Sequence, residues 1–568
     1  MKEEKKAEFE ENEENAEIEK SEGIGQEEEE GSFVMKEFLE EAVSLLLTAY
    51  LFIIFCIYPF YVKNGYSDIG NEKFQFYKYI TMGSLGLIVP LALLCIFFRI
   101  RDWRRGKASG SDGMAYAAGG IGVFGKFRFT LTDWAVAGYG IAVVLSYICS
   151  EFKEKGLWGE KGWNMGLLTQ LAFVLFYFLL AFFWEYEENL LAAFVAASSA
   201  VFLLGVLNRF SVYPIDMHGT DSGFISTLGN INWYCGYWAV LFPLSFVLYW
   251  CTEKLWLRLA ALAATAIGIA TGVSQGSNSA VIVFAGIYLC VFCLSVKKVE
   301  RMKRFLELVI LFCAVCQGLR GWRILRPDGF NFYSGTLSDW ITMSKVTLFG
   351  LIPAVIAYFL LCIAEKRKRV DMKRLKALRQ IAILGAVVVV GVYVLLLILN
   401  SKAGGIRFMG NLSALVFNEQ WGNARGATWA AGVEVYKNMH GWNKLFGVGP
   451  DCFAMYLYTL PDLAERMMNQ FNGARLTNAH NEWLTVLVNQ GILGMVSYGG
   501  IFVSAFMRYL CYGEKASGER KRYLYVFAIG AFVYTIHNMV SFQQILSTPF
   551  MFLILGMGEA LAKEKNCG

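Results

Sequence analysis

The sequence predicts an all-α protein that crosses a membrane many times, in about fourteen helices, with one large extracytoplasmic loop before the last three. Three observations carry that prediction. Of the 568 residues 56% are hydrophobic and only 17% charged, too apolar a balance for a soluble chain of this length. Uninterrupted apolar runs of spanning length recur along most of the sequence. Lysines and arginines collect in short clusters between those runs. Backbone polar groups in lipid must be satisfied within the segment, so the runs read as helices. The short alternating segments of a membrane barrel are not evident.

Taken in order, residues 1–33 are dominated by Glu and Lys and predict a disordered acidic tail on the cytoplasmic side. No basic stretch with a short apolar core and a small-residue cleavage site precedes the first span, so it does not read as a signal peptide. Residues 34–400 hold the first eleven spans, centred near 52, 88, 140, 174, 199, 240, 263, 287, 312, 353 and 390. Residues 401–481 form the loop, and 482–562 hold the last three spans, near 496, 531 and 553. The positive-inside rule tests this count. With both termini cytoplasmic in a plasma membrane, Arg99–Lys107, Lys297–Arg304, Lys366–Arg379 and Arg520–Arg522 all fall inside. The run near 312 is the weakest, but deleting it would put the Lys366–Arg379 cluster outside.

That topology places 151–163, 209–230, 274–278, 319–340 and the loop on the outer face, with His218, His440, His480 and His537 on or near it. Histidine is the side chain suited to proton transfer near neutral pH, so this face is where such chemistry can occur. The net charge of +5 comes from loops between helices and points to no nucleic acid. Cys290/Cys293 and Cys313/Cys316 have CxxC spacing but lie inside apolar runs, where small hydrophobes are expected. Gly268, Gly286, Gly350 and Gly385 predict close helix packing. Asp216, His218 and Asp221 crowd one outer loop as the competing metal chemistry, at a spacing that fits no recognised ligand pattern.

Five short motifs stand on the outer face. Gly229-Asn230-Ile231-Asn232 opens the sixth span, and Ser274-Gln275-Gly276 ends the seventh. In the loop, Arg425 precedes Trp429, and Gly447-Val448-Gly449-Pro450 makes a turn whose amides are candidates to cradle an anion. Arg475 then leads to His480-Asn481-Glu482-Trp483-Leu484, which continues to Gly491 and Gly494; an Asn cap starts a helix there. In this order the motifs resemble the O-antigen ligase and O-antigen polymerase family of bacterial membrane glycosyltransferases, over about 225–560. His537, before the last span, stands where that family often has a His. The chain departs at Gln275, where many members carry Arg in Ser-Arg-Gly, and in lacking the Pro of GNPN. Arg320, Arg323 and Arg407 are candidates to replace that cation.

The resemblance implies transfer or polymerisation of polysaccharide from an undecaprenyl-diphosphate carrier to an acceptor, at the outer face. A leaving diphosphate needs guanidinium partners, and an acceptor hydroxyl needs a base. His480 is the expected catalytic base. Arg425, Arg475, Asn481, Trp429, Gln275, Asn230, Asn232 and His537 are the expected diphosphate- and substrate-binding residues. No metal or other cofactor is expected of an Arg/His site. The expected partners are a lipid-linked glycan donor, a glycan, lipid or wall-polymer acceptor, and membrane lipids. The alternative is a transporter or flippase for a lipid-linked glycan. Such a carrier calls for charged residues inside the spans, and these spans have almost none.

Overall fold

The computed structural model describes residues 34–108, 128–187, 189–331, 336–401 and 413–563. The acidic stretch 1–33 and Arg407 lie outside them. A helix stands at each of the fourteen expected centres. Among the described residues, ten helices are long and apolar enough to cross a membrane; Leu167–Phe183 and Ser279–Ser295 are apolar but shorter. Val299–Leu325, the weakest run in sequence, is one of the ten.

Local chemistry sets several boundaries. Thr130 and Asp133 form a reciprocal capping box at the start of Leu131–Cys149, satisfying two orphan amides of the first turn. Asn230 caps Ile231–Cys251 by accepting the Asn232 amide at 2.8 Å. Just before it, Phe224–Ile225 pairs antiparallel with Gly229–Asn230, a two-stranded hairpin that fixes how the chain enters the bundle.

The Ile231–Cys251 helix is the centre of the bundle: 94% of its apolar window is buried. It packs on Leu255–Ser274 and on Gly518–His537, and Glu482–Lys515 packs on Leu131–Cys149 and Gly518–His537. Two of the four span glycines permit close approach as expected. A Cβ on Gly268 would fall 2.5 Å from the Phe242 ring, and one on Gly286 would fall 2.7 Å from Ile536. The expectation fails at the others: a Cβ on Gly350 would make only ordinary contact, and one on Gly385 would meet nothing. The reason is position. Gly385 lies on Met372–Ser401, a helix whose apolar window has no buried share at all.

The large loop is more structured than its polarity suggests. Its described part carries the helices Trp421–Asn438, Asn443–Phe446, Phe453–Leu457 and Pro461–Gln470. Ala431, Val435, Met439, Phe453, Leu457, Leu463 and Met467 bury one another in a small core separate from that of the bundle. The loop is a folded cap.

Candidate functional site

The expected outer segments converge on one end of the bundle. Arg209 joins three of them, donating to the carbonyls of Ser222 (2.9 Å), Asn331 (3.2 Å) and Gln275 (2.5 Å). Leu337 donates its amide to Asn278. The carboxylate of Asp451, next to the Gly-Val-Gly-Pro turn, accepts the amides of Glu160 (2.8 Å) and Met165 (3.0 Å).

The glycine turn has a different use from the one expected. The helix that begins at Glu482 breaks at Gly491, where φ is 70°. A break strands helix carbonyls, and the turn supplies their donors. Val448 donates its amide to Val488 (3.0 Å) and Gly449 to Asn489 (3.2 Å). The approach is close enough that a Cβ on Gly447 would lie 2.0 Å from the Asn489 carbonyl oxygen, and one on Gly491 2.3 Å from that of Leu445. The turn amides are therefore spent on the helix and do not cradle an anion. The two glycine motifs form one joint, which fixes the cap against the helix that follows His480.

At the other end of that short helix segment, residues 478–481 are pinned from several sides. Asn481 is the N-cap, accepting the Leu484 amide at 3.1 Å. The Asn478 side chain accepts the His480 amide at 2.9 Å and holds His480 in left-handed backbone, φ 48°, a conformation for which His is one of the less averse residues. The carbonyl of Ala479 accepts from Thr428, and that of His480 from the Trp429 indole N–H at 3.4 Å. The His480 ring stands edge-on to Phe542, and its Nδ1 is buried without a well-formed hydrogen bond among the described residues.

Arg425 approaches from the cap. Gly422, Asn423 and Ala424 are all left-handed, so the regular helix begins only at Arg425. Gly426 is obligatory behind it, since a Cβ there would lie 1.9 Å from the Asn418 carbonyl oxygen. The guanidinium donates to the carbonyls of Val540 (3.2 Å) and Gly422 (3.0 Å) and to the Ser279 hydroxyl (3.3 Å). Among the described residues no carboxylate pairs with it. Burial first, and the positive charge of Arg425 second, push the His480 imidazole down to about 4, so it is neutral at physiological pH.

The remaining expected residues divide. His537 is buried at the end of Gly518–His537, close to Arg425. Gln275 is buried, its amide N–H₂ donating to Gly272 and its Oε1 without a partner among the described residues. Asn230 and Asn232 meet each other at the cap described above. Arg475 points elsewhere: its neighbours are the Tyr458 ring and the Met455 sulfur, within the cap. Of the candidate replacement cations, Arg323 is paired with Asp339 and Arg320 leans on Gln317. His218 and His440 are exposed, and Asp216 and Asp221 each accept a backbone amide two residues on, as turn residues do. Among the described residues no group of three or more His, Cys, Asp or Glu is arranged to hold a metal ion.

Sequence reasoning missed the 538–547 segment. Asn538 accepts the Glu482 amide through its carbonyl (2.9 Å), Gln543 donates its amide to the Glu482 carboxylate, and Val540 supplies the carbonyl that holds Arg425. Glu482 itself is fully buried, and one of its oxygens lacks a well-formed hydrogen bond among the described residues. The signal was present as two adjacent buried glutamines, Gln543 and Gln544, between two apolar runs.

A many-helix membrane bundle with a buried His and an unneutralised Arg under a folded cap defines a multi-pass membrane protein with a polar site at one end. More particularly, residues 340–499 match the family model described as O-antigen ligase, which bears out over that stretch the resemblance read from the motifs. The match takes in Arg425, Trp429, the glycine turn, Arg475 and His480, and is narrower than the region of about 225–560 that the motifs marked. No curated protein matches the chain.

Proposed function

We propose that the protein ligates or polymerises lipid-linked polysaccharide at the outer membrane face, taking the glycan from a polyprenyl-diphosphate carrier such as undecaprenyl diphosphate. On this reading fourteen helices cross the membrane, both termini are cytoplasmic, and the cap lies outside. The observation that carries the proposal is the pairing of Arg425, held by carbonyls and a hydroxyl rather than a carboxylate, with a neutral, half-buried His480.

An acceptor hydroxyl attacks the anomeric carbon of the carrier-linked sugar. The new C–O bond forms as the bond to the diphosphate breaks, and the hydroxyl proton passes to His480. The departing diphosphate gains negative charge, which the Arg425 guanidinium stabilises. Binding also tunes the base. An anion on Arg425 offsets the positive charge that helps hold His480 down, and so strengthens it when substrate is present. On this reading His537, Gln275, Asn230 and Asn232 contact the substrate as well. Translocation is the weaker reading because the central Ile231–Cys251 helix carries no charged residue.

The test is transfer of a lipid-diphosphate-linked oligosaccharide by the purified protein. Removing a general base costs about a hundred- to ten-thousandfold in rate. His480→Ala is expected to lose activity in that range with donor binding and thermal midpoint retained. His480→Gln is expected to be nearly as poor, because an amide hydrogen-bonds but does not take up a proton at neutral pH. Turnover by His480→Gln at the wild-type rate would remove the base assignment.

A further inference from the structure

A row of aromatic rings leads away from His480 along the outside of the cap. The Trp429 indole N–H reaches the His480 carbonyl. Trp421 meets Trp429 edge to face, ring centres 5.2 Å apart, and Phe417 meets Trp421 at 5.3 Å. The Trp421 N–H is already spent on the Ala414 carbonyl at 3.2 Å. Both indoles are thus oriented by hydrogen bonds at one edge, and both remain half-buried, while Phe417 is 40% exposed. The exposed side chains of Glu419 and Gln420 flank the row.

Rings arranged this way suit one class of ligand. A pyranose has apolar C–H faces that lie against an aromatic ring and hydroxyls around its rim that hydrogen-bond to amide and carboxylate side chains. Locked rings bind such faces at little entropic cost, because the protein has already fixed their rotamers. The row is also continuous with the site: it starts from the backbone of His480 at Trp429, on the helix that Arg425 begins, and runs back through Trp421 to Phe417 in the chain leading into that helix. A membrane-interface belt is the other common use of Trp. It would not call for rings keyed one to the next from the catalytic loop outward.

We propose that Trp429, Trp421 and Phe417 form a saccharide-binding track that holds the pyranose units nearest the reaction centre. This inference rests on the transfer reading above. The same chemistry serves a donor glycan or an acceptor glycan, and the experiment separates the two.

The full chain in lipid nanodiscs is titrated with the polysaccharide of its source cells, freed from its lipid by mild acid, and binding is read by saturation-transfer NMR. Wild type is expected to bind. Trp421→Ala is expected to weaken binding about two- to tenfold, the range for loss of one aromatic contact, and Trp421→Phe to keep most of it. In steady-state transfer, the KM for one substrate is expected to rise by the same factor with kcat kept. A rise for the lipid-linked donor assigns the track to the donor glycan, and a rise for the acceptor assigns it to the acceptor. If Trp421→Ala does not fold, Phe417→Ala, at an exposed position, is read by the same two measurements. Failure of wild type to bind the polysaccharide, or unchanged binding and KM in the Ala variants, overturns the inference. So does a change confined to thermal midpoint or vesicle insertion, which marks a membrane anchor. His480→Gln is expected to retain saccharide binding, so lost binding and lost chemistry are told apart.

Discussion

The end of the bundle away from the site and Arg425 at the site handle charge in opposite ways, although Arg323 and Asp339 pair on the site's side as well. Away from the site, cations meet carboxylates: Lys297 with Glu514 (2.8 Å), Lys303 with Glu365 (3.1 Å), Arg508 with Glu559 (2.7 Å) and Lys563 with Asp133 (2.8 Å). Lys297 ties a turn to a helix, each of the other pairs ties one helix to another, and Asp133 and Glu559 are wholly buried. At the site end Arg425 is held by two backbone carbonyls and a hydroxyl. Carbonyl dipoles orient a guanidinium without cancelling its charge, whereas a carboxylate does both. The first end therefore fastens helices, and the second holds a cation in place for an anion that comes and goes.

The sharpest way to break this contrast is at the fastening end. Arg508→Met leaves Glu559 buried without its closest cation, a change that typically costs about 3–5 kcal/mol. The thermal midpoint is expected to fall by many degrees while the KM for the lipid-linked donor in the surviving fold stays put. A selective change in KM would mean that the two ends are not separate in role.

At the site end the opposite pattern is expected. Arg425→Lys keeps the charge but loses the fork that makes two parallel bonds to a phosphate. Loss of one charge-assisted hydrogen bond is worth about 1.5–3 kcal/mol, so the donor KM is expected to rise at least about tenfold with little change in thermal midpoint. An unchanged KM would take Arg425 out of the diphosphate site.

A smaller effect probes the joint that steadies the cap. Burial pushes the Asp451 carboxyl up to about 7, with Glu160 nearby adding to the shift, while two backbone amides oppose it. Its ordinary value is about 4, so between the two values the folded protein binds more protons than the unfolded chain. The stabilisation is complete at the acidic end of that window and is lost as pH rises through about 7. Asp451→Asn mimics the protonated form. It is expected to match wild type near pH 4 and to exceed it near pH 8, by on the order of 4 kcal/mol. Parallel melting curves for the two proteins at all pH values would contradict this.

The same contrast explains what could be read from the sequence. Apolar runs and basic clusters mark helices and their ends because lipid imposes one rule on every segment, so a helix stands at each expected centre. His480, Asn481 and Arg425 stand out in the sequence because local motifs surround them. Other features depend on pairs far apart in the chain. The glycine turn reads alone as an anion cradle, and only the carbonyls freed at Gly491, some forty residues later, show its use. Arg475 is close to His480 in sequence, yet the cap turns it toward Tyr458. Glu482 looks like an ordinary first-turn acid until Asn538 and Gln543 enclose it. Met372–Ser401 and Ile231–Cys251 look equally spanning, but one has no buried residue and the other is central, because periodicity does not say which helices neighbour one another.

The central claim is that an anion held by Arg425 strengthens His480. The chain has four histidines, so ring signals of protein labelled at His are assignable by comparison with His480→Gln. The decisive measurement is the titration of the His480 ring by NMR, with and without undecaprenyl diphosphate. The account predicts that His480 stays neutral until about pH 4 in the free protein and titrates at higher pH with the diphosphate bound, and that in Arg425→Met it titrates above free wild type and does not respond to the diphosphate. A His480 that titrates near its ordinary value in both states, indifferent to the diphosphate and to Arg425, would contradict it.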